Sequence, residues 1–299
     1  MNAENSGINT VENNGINEED AAEVGSDTEI QRQLLKQSCW NDAEAFFRAC
    51  IAVDTAGRKP SGGIGTLSEK KMHSVIKHFI EPDASKHEIG VGGSIADVKN
   101  ECGNFEVQTA SFNILRKKLP QMLESSCVTV VYPIPFEKRI IKIDALTGEA
   151  AKPRKSPKHG SFFDAFFELY KLADVIENNN LNILLMLIDA DEYRIENMPV
   201  KKRGRRRRST AERLERIPIA LRGAVLICER GDWQRLLPAE LGAEFTSADL
   251  AKLARIHTET AQTALRVLSR VGAVCCLGKR GRLKLYARAK AFEECKFEE

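Results

Sequence analysis

The sequence of 299 residues predicts an α/β protein in which helices flank a mixed sheet, followed by a smaller C-terminal domain of helices and a hairpin. Two observations indicate the sheet. Short apolar stretches near residue 100 alternate with polar residues as half-buried strands do, and residues 128–132 (VTVVY) form the continuous β-branched run of an interior strand. A third observation indicates the helices, because apolar residues recur at helical spacing before, between and after these strands.

Charge is distributed unevenly along the chain, which is long enough for about two domains. Residues 1–29 contain eight Asp or Glu and no Lys or Arg, whereas the rest carries a net charge of +11. We expect residues 1–29 to be a disordered acidic tail, because they hold too few large apolar residues to form a core. The basic remainder favours a polyanionic partner.

Nothing in the sequence indicates a membrane or secreted protein. The chain begins without the basic and apolar segments of a signal peptide, and its longest strongly apolar run, residues 183–188, is far shorter than the roughly 20 residues of a membrane helix. Its eight cysteines lack the CxxC spacing typical of zinc sites. We therefore expect a cytoplasmic protein with no membrane partner.

The main domain, expected over residues 30–198, begins with helices. Residues 28–52 favour helix with an interruption at 40–42, where Asn41 or Asp42 would cap a second helix. A Gly- and Pro-rich loop precedes a further helix over 66–80. Glu69 in its first turn either stabilises the helix dipole or belongs to a site, and His73 one turn later would share its face.

The following hairpin brings two acids together. Asp97 lies in a short apolar strand, a turn over residues 99–104 follows, and Glu106 lies in a second alternating strand. Because successive side chains of a strand point to opposite faces, both carboxylates can share one face of the hairpin. Adjacent carboxylates repel each other unless a cation lies between them, and a hard, oxygen-seeking ion such as Mg2+ suits them best.

These residues resemble the PD-(D/E)xK, or restriction-endonuclease-like, superfamily, whose signature is an acid, a short turn and Glu-x-Lys at the end of the next strand. Asp97 and Glu106 match it, with Gln108 in place of the lysine. The resemblance implies that Asp97 and Glu106 hold Mg2+ or Mn2+, and that Asp97, Glu106, Gln108 and Glu69 are catalytic. Motifs at 67–70, 106–109, 132–133 and 154–158 also resemble an uncharacterised bacterial family with a nuclease-like core and a winged-helix tail.

The rest of the main domain reads as alternating helices and strands. A helix over 111–123 would leave Lys117 and Lys118 pointing outward, Pro133 would end the interior strand, and further strands are expected at 139–143 and 180–189. The basic loop at 152–159 (KPRKSPKH) is either solvated charge or a phosphate clamp formed by Lys155 and Lys158 before a helix N-terminus. Lys117 or Lys155 could also replace the lysine that the signature lacks.

Residues 199–231 are expected to be a basic linker and connecting segment. Seven of the eight residues at 201–208 are basic, which suits a solvated linker and also a contact with a phosphate backbone. The candidate contacts are Lys201, Lys202, Arg203, Arg205, Arg206, Arg207 and Arg208.

The C-terminal domain, expected over residues 232–299, resembles a winged helix. Helices are expected at 233–241, after a cap at 246–249, and over 259–271, and two strands flank a basic glycine-containing tip at 278–282. The resemblance implies that the third helix and the tip bind DNA, although winged helices also dock proteins. The candidate DNA contacts are Thr258, Gln262, Arg266, Lys279, Arg280 and Arg282.

The sequence therefore predicts a restriction-endonuclease-like α/β domain, a basic linker and a winged helix. The expected function is Mg2+-dependent hydrolysis of phosphodiester bonds in double-stranded DNA. Two alternatives stay open: a DNA-binding regulator whose nuclease-like domain has lost turnover, and a docking subunit of a defence or mobile-element assembly. A homodimer is compatible with each of them.

Overall fold

The structure, a computed structural model, describes residues 18–55, 70–91, 93–196 and 212–289. The helices are α1 (Glu18–Gln37), α2 (Ala43–Thr55), α3 (Lys71–Ile80), α4 (Leu115–Ser125), α5 (Phe166–Leu169), α6 (Arg230–Trp233), α7 (Ser247–Ala254) and α8 (Thr258–Arg270). The strands are β1 (His87–Val91), β2 (Ser94–Asn100), β3 (Gly103–Val107), β4 (Val128–Asp144), β5 (Arg154–Lys155), β6 (Leu181–Glu196), β7 (Glu212–Ile227), β8 (Glu244–Thr246), β9 (Val274–Arg280) and β10 (Leu283–Arg288).

The main sheet is mixed and has the strand order β1-β2-β3-β4-β6-β7, with β5 added beside β4. Its first three strands are antiparallel neighbours, β3, β4 and β6 run parallel, and β7 returns antiparallel to β6. The prediction of an α/β fold with a mixed sheet flanked by helices is therefore confirmed. Among the described residues, no helix is long and apolar enough to cross a membrane.

Hydrophobic cores cover both faces of the sheet. Alternation along β6 divides its buried residues, since Leu184 belongs to the core under α2 and α3 whereas Ile183 and Leu185 belong to the other core. The second core includes Phe166 of α5 and continues without a break into Leu265 of α8. The C-terminal helices thus share a core with the main sheet.

The N-terminal helices follow the prediction with one change. The break at 40–42 is confirmed, because Asp42 caps α2 by accepting a hydrogen bond at 2.8 Å from the backbone N–H of Ala45. Helix α1, however, begins at Glu18, inside the segment that we predicted to be a disordered tail. Its first residues, Glu18-Glu19-Asp20-Ala21-Ala22, include Glu and Ala, which are good helix formers.

The prediction that Pro133 ends the interior strand is wrong. Strand β4 continues through Pro133 and Pro135 and includes the strand that we expected at 139–143. Proline is tolerated here because β3 pairs with β4 only as far as Val131 and β5 pairs with β4 only from Arg139 onward. Between these points no strand on that side of β4 needs a backbone N–H donor. A register shift in the β4–β6 pairing lies just beyond Pro135.

The predicted linker contains the last strand of the main sheet. Residues 212–227 form β7, which pairs with β6 along its whole length, so the main domain extends beyond the predicted boundary at 198. The sequence did not indicate this strand because it contains many charged residues and Pro218. These residues are tolerated because β7 lies at the edge of the sheet. The basic run at 201–208 lies outside the described residues; by connectivity it joins β6 to β7 and is not an interdomain linker.

The C-terminal segment has the predicted helices and hairpin, with small corrections. Thr246 and Asp249 form a capping box at the start of α7, and α8 ends before Gly272, whose φ of 68° suits glycine. The first helix is shorter than expected, since α6 gives way to a 3-10 turn at 234–236. Leu253, which we expected in the core, is 44 % exposed, and β8 adds a third strand beside β10.

Candidate active site

The predicted hairpin forms, and its acids lie where its strands begin to separate. Strands β2 and β3 are paired from Asn100 and Gly103 to Val98 and Phe105, just before Asp97 and Glu106. Beyond that pair, the Asp97 carboxylate accepts a hydrogen bond at 2.8 Å from the backbone N–H of Val107. A side chain therefore replaces a strand partner, which fixes Asp97 against the end of β3.

His73 of α3 holds the same carboxylate from the helix side. Its Nε2 lies 3.2 Å from Oδ2 of Asp97, and both side chains are 22 % exposed. Burial disfavours ionisation of Asp97, but the hydrogen bond and charge of His73, the Val107 amide and the charge of Lys118 together lower the pKa of this carboxyl below its usual value. Asp97 is therefore ionised and oriented at neutral pH.

Lys118 reaches Glu106, which corrects the prediction that it points outward. Its Nζ donates a hydrogen bond at 2.6 Å to Oε1 of Glu106 and another to the backbone carbonyl of Ile95. Helix α4 turns Leu115 and Leu119 into the core, and residue 118 lies at the border of this buried stripe. The long lysine side chain extends from that border to the end of β3. The ammonium group beside Glu106 is therefore that of Lys118, and not that of Lys117 or Lys155 as we expected.

Glu106 is almost completely buried, with 2 % of its surface exposed. Burial raises its pKa to about 7, the Coulomb repulsion of Asp97 adds to the rise, and the Lys118 hydrogen bond and charge oppose it. The positive charges of Lys118 and His73 thus only partly offset the effects of burial and of the Asp97 charge on Glu106. A further cation would lower the free energy of the ionised pair.

Gln108 follows Glu106 at the end of β3. Its backbone N–H donates at 2.9 Å to the Val131 carbonyl, and its half-buried side-chain amide makes no hydrogen bond within the described ranges. Glu69, the predicted third carboxylate, lies outside the described residues. In the part of the chain that the structure covers, no three His, Cys, Asp or Glu side chains form a metal-binding group.

A two-carboxylate site nevertheless fits Mg2+ or Mn2+. Magnesium sites commonly use one or two protein carboxylates together with waters and substrate phosphates. Asp97 and Glu106 supply hard oxygen ligands, and the pKa of Glu106 is raised first by burial and then by the neighbouring charge of Asp97. The donor set therefore suits the metal that the sequence predicted.

A cleft opens beside this site, between the start of α3 and β7. Its walls include Lys70, Met72, Thr109, Arg213 and Arg216. Met72 precedes His73 in α3, and Thr109 follows Gln108, so the cleft lining and the candidate site share the start of α3 and the segment after β3. Sequence reasoning missed its β7 wall because that strand was taken for a linker.

The predicted phosphate clamp is partly neutralised by acids. Lys155 Nζ lies 2.9 Å from Glu137, Lys158 Nζ lies 3.5 Å from Asp164, and Ser156 between them is buried. The two lysine side chains are still largely exposed. They lie beside β4, away from the β2–β3 hairpin in sequence and sheet order.

The predicted contacts of the C-terminal segment lie on its surface. Thr258, Gln262 and Arg266 recur every four residues along α8 and are exposed, whereas its opposite face is buried against the shared core. Lys279, Arg280 and Arg282 are exposed around the β9–β10 turn, where Arg280 also pairs with Glu244 at 3.4 Å. The seven basic residues at 201–208 lie outside the described part of the chain.

Comparison with known proteins gives a family but no activity. Residues 70–228 match the model of a domain of unknown function (DUF8091). The chain is 30% identical over 227 residues to an uncharacterized protein of Treponema pallidum (strain Nichols), an alignment that covers 75% of this chain and 87% of the relative. No solved structure matches significantly. The matched region runs from the N-terminus of α3 to the end of β7 and so contains the acidic pair, Lys118 and the cleft.

Proposed function

The chain belongs to the family of the domain of unknown function DUF8091, and from its site we propose that it is a metal-dependent DNA endonuclease. The observation that carries the proposal is the arrangement of Asp97 and Glu106 on neighbouring strands with the ammonium group of Lys118 on Glu106. A buried acid pair of this kind is unfavourable for the fold alone, because each carboxylate raises the cost of ionising the other. Perturbed carboxylates beside a cleft are typical of functional sites.

The fold supports a restriction-endonuclease-like core. The helix α3, the antiparallel strands β1, β2 and β3, the helix α4 and the parallel strand β4 follow one another in this order. Asp97 lies on one strand and Glu106 near the end of the next, which supports the resemblance to the superfamily signature. The C-terminal order of helix, turn, helix and hairpin, with a third short strand, likewise supports a winged helix.

Each residue of the site has a role in this reaction. Two carboxylates would hold a divalent metal: Asp97, which His73 and the Val107 amide fix in place, and Glu106. When bound, the metal would activate the attacking water and neutralise charge on the phosphate. Gln108 presents an amide that can orient the water by hydrogen bonding. Lys118 supplies the positive charge that Gln108 lacks, and it can stabilise negative charge that develops on the phosphate.

The test is a cleavage assay with plasmid and linear DNA in Mg2+, Mn2+ or EDTA. We expect cleavage with either metal, none in EDTA, and at least a hundredfold loss in Asp97→Asn and Lys118→Gln, the scale reported for removal of one transition-state contact. Asp174→Asn is the matched control, since Asp174 is an exposed acid paired with Arg116 on the outer side of α4. Circular dichroism verifies that each variant is folded.

Moving the lysine gives a sharper test of its role. In the double variant Lys118→Gln with Gln108→Lys, the cation returns to the position of the superfamily signature, so cleavage should recover relative to Lys118→Gln alone. Wild-type protein that cleaves with neither metal, or cleavage that Asp97→Asn leaves unchanged, would contradict the nuclease proposal.

A second candidate function is a DNA-binding regulator without turnover. Gln108 in place of the signature lysine favours it, as does the exposed polar stripe of α8 beside the basic β9–β10 turn. It predicts sequence-specific binding in EDTA together with no cleavage in either metal. If the protein neither binds nor cleaves DNA, a protein-docking role for the C-terminal segment is the alternative that remains.

A further inference from the structure

Three cations on neighbouring strands surround one buried carboxylate. Glu192 of β6 is 2 % exposed, and its Oε2 accepts hydrogen bonds from Arg216 of β7 at 3.2 and 2.9 Å. Its Oε1 accepts from Arg194 Nε at 2.8 Å and from Arg194 Nη2, and Lys138 of β4 lies 3.6 Å away. One negative charge therefore orients three positive ones.

The cluster has more positive charge than it can neutralise internally. Burial lowers the pKa of Lys138, Glu192 opposes this, and the charges of Arg216 and Arg194 lower the pKa further. Each arginine uses only Nε and Nη2 toward Glu192, and neither Nη1 donates to any group within the described residues. An arginine fixed by a carboxylate on one side and free on the other is well prepared to bind a phosphate.

Arg216 connects this cluster to the cleft beside the acidic pair. It lines that cleft together with Arg213 and Lys70. Arg213 and Lys70 are exposed, and neither side chain forms an ion pair with a residue that the structure describes. Among the described residues that line the cleft, three are basic and one, Glu215, is acidic, so cations are in excess there.

We propose that this cleft binds a backbone phosphodiester of nucleic acid, with Arg216 as its oriented contact and Arg213 and Lys70 as additional cations. The proposal rests on the proposed function, because it assigns the substrate-binding groove of the same site. Glu192 acts as a positioning residue that holds the guanidinium group of Arg216 toward the cleft. Met72 and Thr109 of the cleft lining are the sequence neighbours of His73 and Gln108, so the cleft and the candidate active site share the start of α3 and the segment that follows β3.

The experiment measures binding of a fluorescein-labelled DNA duplex by anisotropy in EDTA over a range of salt concentrations. Arg216→Gln and Arg213→Gln should each weaken binding several-fold and reduce the slope of log K against log salt by about 0.9, the value for one lost phosphate contact. Arg222→Gln is the matched control: Arg222 also lies on β7 and pairs with a buried β6 acid, Asp189, but it does not line the cleft. Its affinity and slope should equal those of the wild type.

Two controls test whether the variants remain folded and whether the bound phosphate belongs to the backbone or to the end of the duplex. Glu192 retains Arg194 and Lys138 in Arg216→Gln, and Arg213 forms no ion pair with a described residue, so both variants should remain folded, which urea unfolding verifies. A duplex with 5′-hydroxyl ends should bind as well as one with 5′-phosphates, since the proposal concerns the backbone. A strict requirement for the 5′-phosphate would overturn it.

The outcomes separate this proposal from the nuclease proposal. Equal affinity and slope for Arg216→Gln, Arg213→Gln and Arg222→Gln would overturn the groove and leave the ion-pair cluster as a purely structural feature. Weakened binding by the two cleft variants in a protein that never cleaves DNA would support the groove and contradict the nuclease. Because binding is measured in EDTA, the result does not depend on turnover.

Discussion

Replacing Glu106 by Gln should stabilise the protein at high pH and abolish the DNA cleavage proposed above. Gln resembles the protonated form of Glu in shape and charge, so the variant removes the cost of ionising a carboxylate that is 2 % exposed. A group whose pKa is raised on folding contributes stability that is present below its unfolded pKa and is lost as the pH rises through its folded pKa. For Glu106 this loss occurs between the ordinary value of 4.5 and about 7.

The magnitude follows from these two values. At about 1.4 kcal/mol per pH unit, the difference between 4.5 and about 7 corresponds to about 3 kcal/mol of lost stability above pH 7. The folded-state pKa already includes the stabilisation by Lys118, so losing that hydrogen bond in the variant needs no separate correction. Lys118 also keeps the Ile95 carbonyl as an acceptor and is 24 % exposed to water.

Urea unfolding of both proteins in EDTA, at about pH 5 and about pH 8, tests this sign and size. We expect a stability difference of less than about 1 kcal/mol at the lower pH and a more stable variant at the higher pH, by up to about 3 kcal/mol. Subtracting the two stabilities removes the contribution of titrating groups that do not interact with Glu106. A variant that is less stable at pH 8, or a stability difference that does not change with pH, would refute the reasoning.

Three further predictions concern metal and DNA. Mg2+ or Mn2+ at a hundredfold excess over its Kd should stabilise the wild type by about 2.7 kcal/mol in thermal unfolding, and Asp97→Asn should abolish this gain; an equal gain in both proteins would place the metal elsewhere. Replacing Gln262 or Arg266 by Ala should cost about 1–3 kcal/mol on a preferred duplex and little on random DNA, as anisotropy titrations can show, whereas equal losses would exclude base readout. Replacing the five arginines at 201–208 by Gln should weaken binding to all sequences alike and lower the salt slope by about 0.9 per lost contact, and an unchanged slope would show that the run does not contact phosphates.

The hairpin and the buried helix faces could be predicted because each depends on local periodicity. Alternating apolar residues placed Asp97 and Glu106 on neighbouring strands, and the spacing of Leu115 and Leu119 identified the buried face of α4. The capping box at Thr246 is equally local, since both of its partners lie within one turn. Such features are encoded in a few consecutive residues.

What could not be predicted depends on partners distant in sequence. A proline such as Pro133 ends a strand only where the neighbouring strand needs a backbone N–H donor at that position, and how far β3 extends beside β4 decides this. Strand β7 has the composition of a linker, and only its pairing with β6 identifies it as a strand. Lys118 was expected to point outward because the helical pattern gives the direction of a side chain at its Cα, whereas the reach of a long lysine depends on what lies beside the helix.

The continuous core between the main sheet and the C-terminal helices has a consequence for where DNA would be cut. Because Phe166 and Leu265 belong to one buried cluster, the outer stripe of α8 and the Asp97–Glu106 pair are held at a constant separation and orientation. A nuclease tethered to its reader by a loose connection cuts over a spread of positions, since its reach varies. In the proposed nuclease the two surfaces would keep a fixed distance, so end-labelled duplexes that carry one recognition site should be cut at a single offset from it.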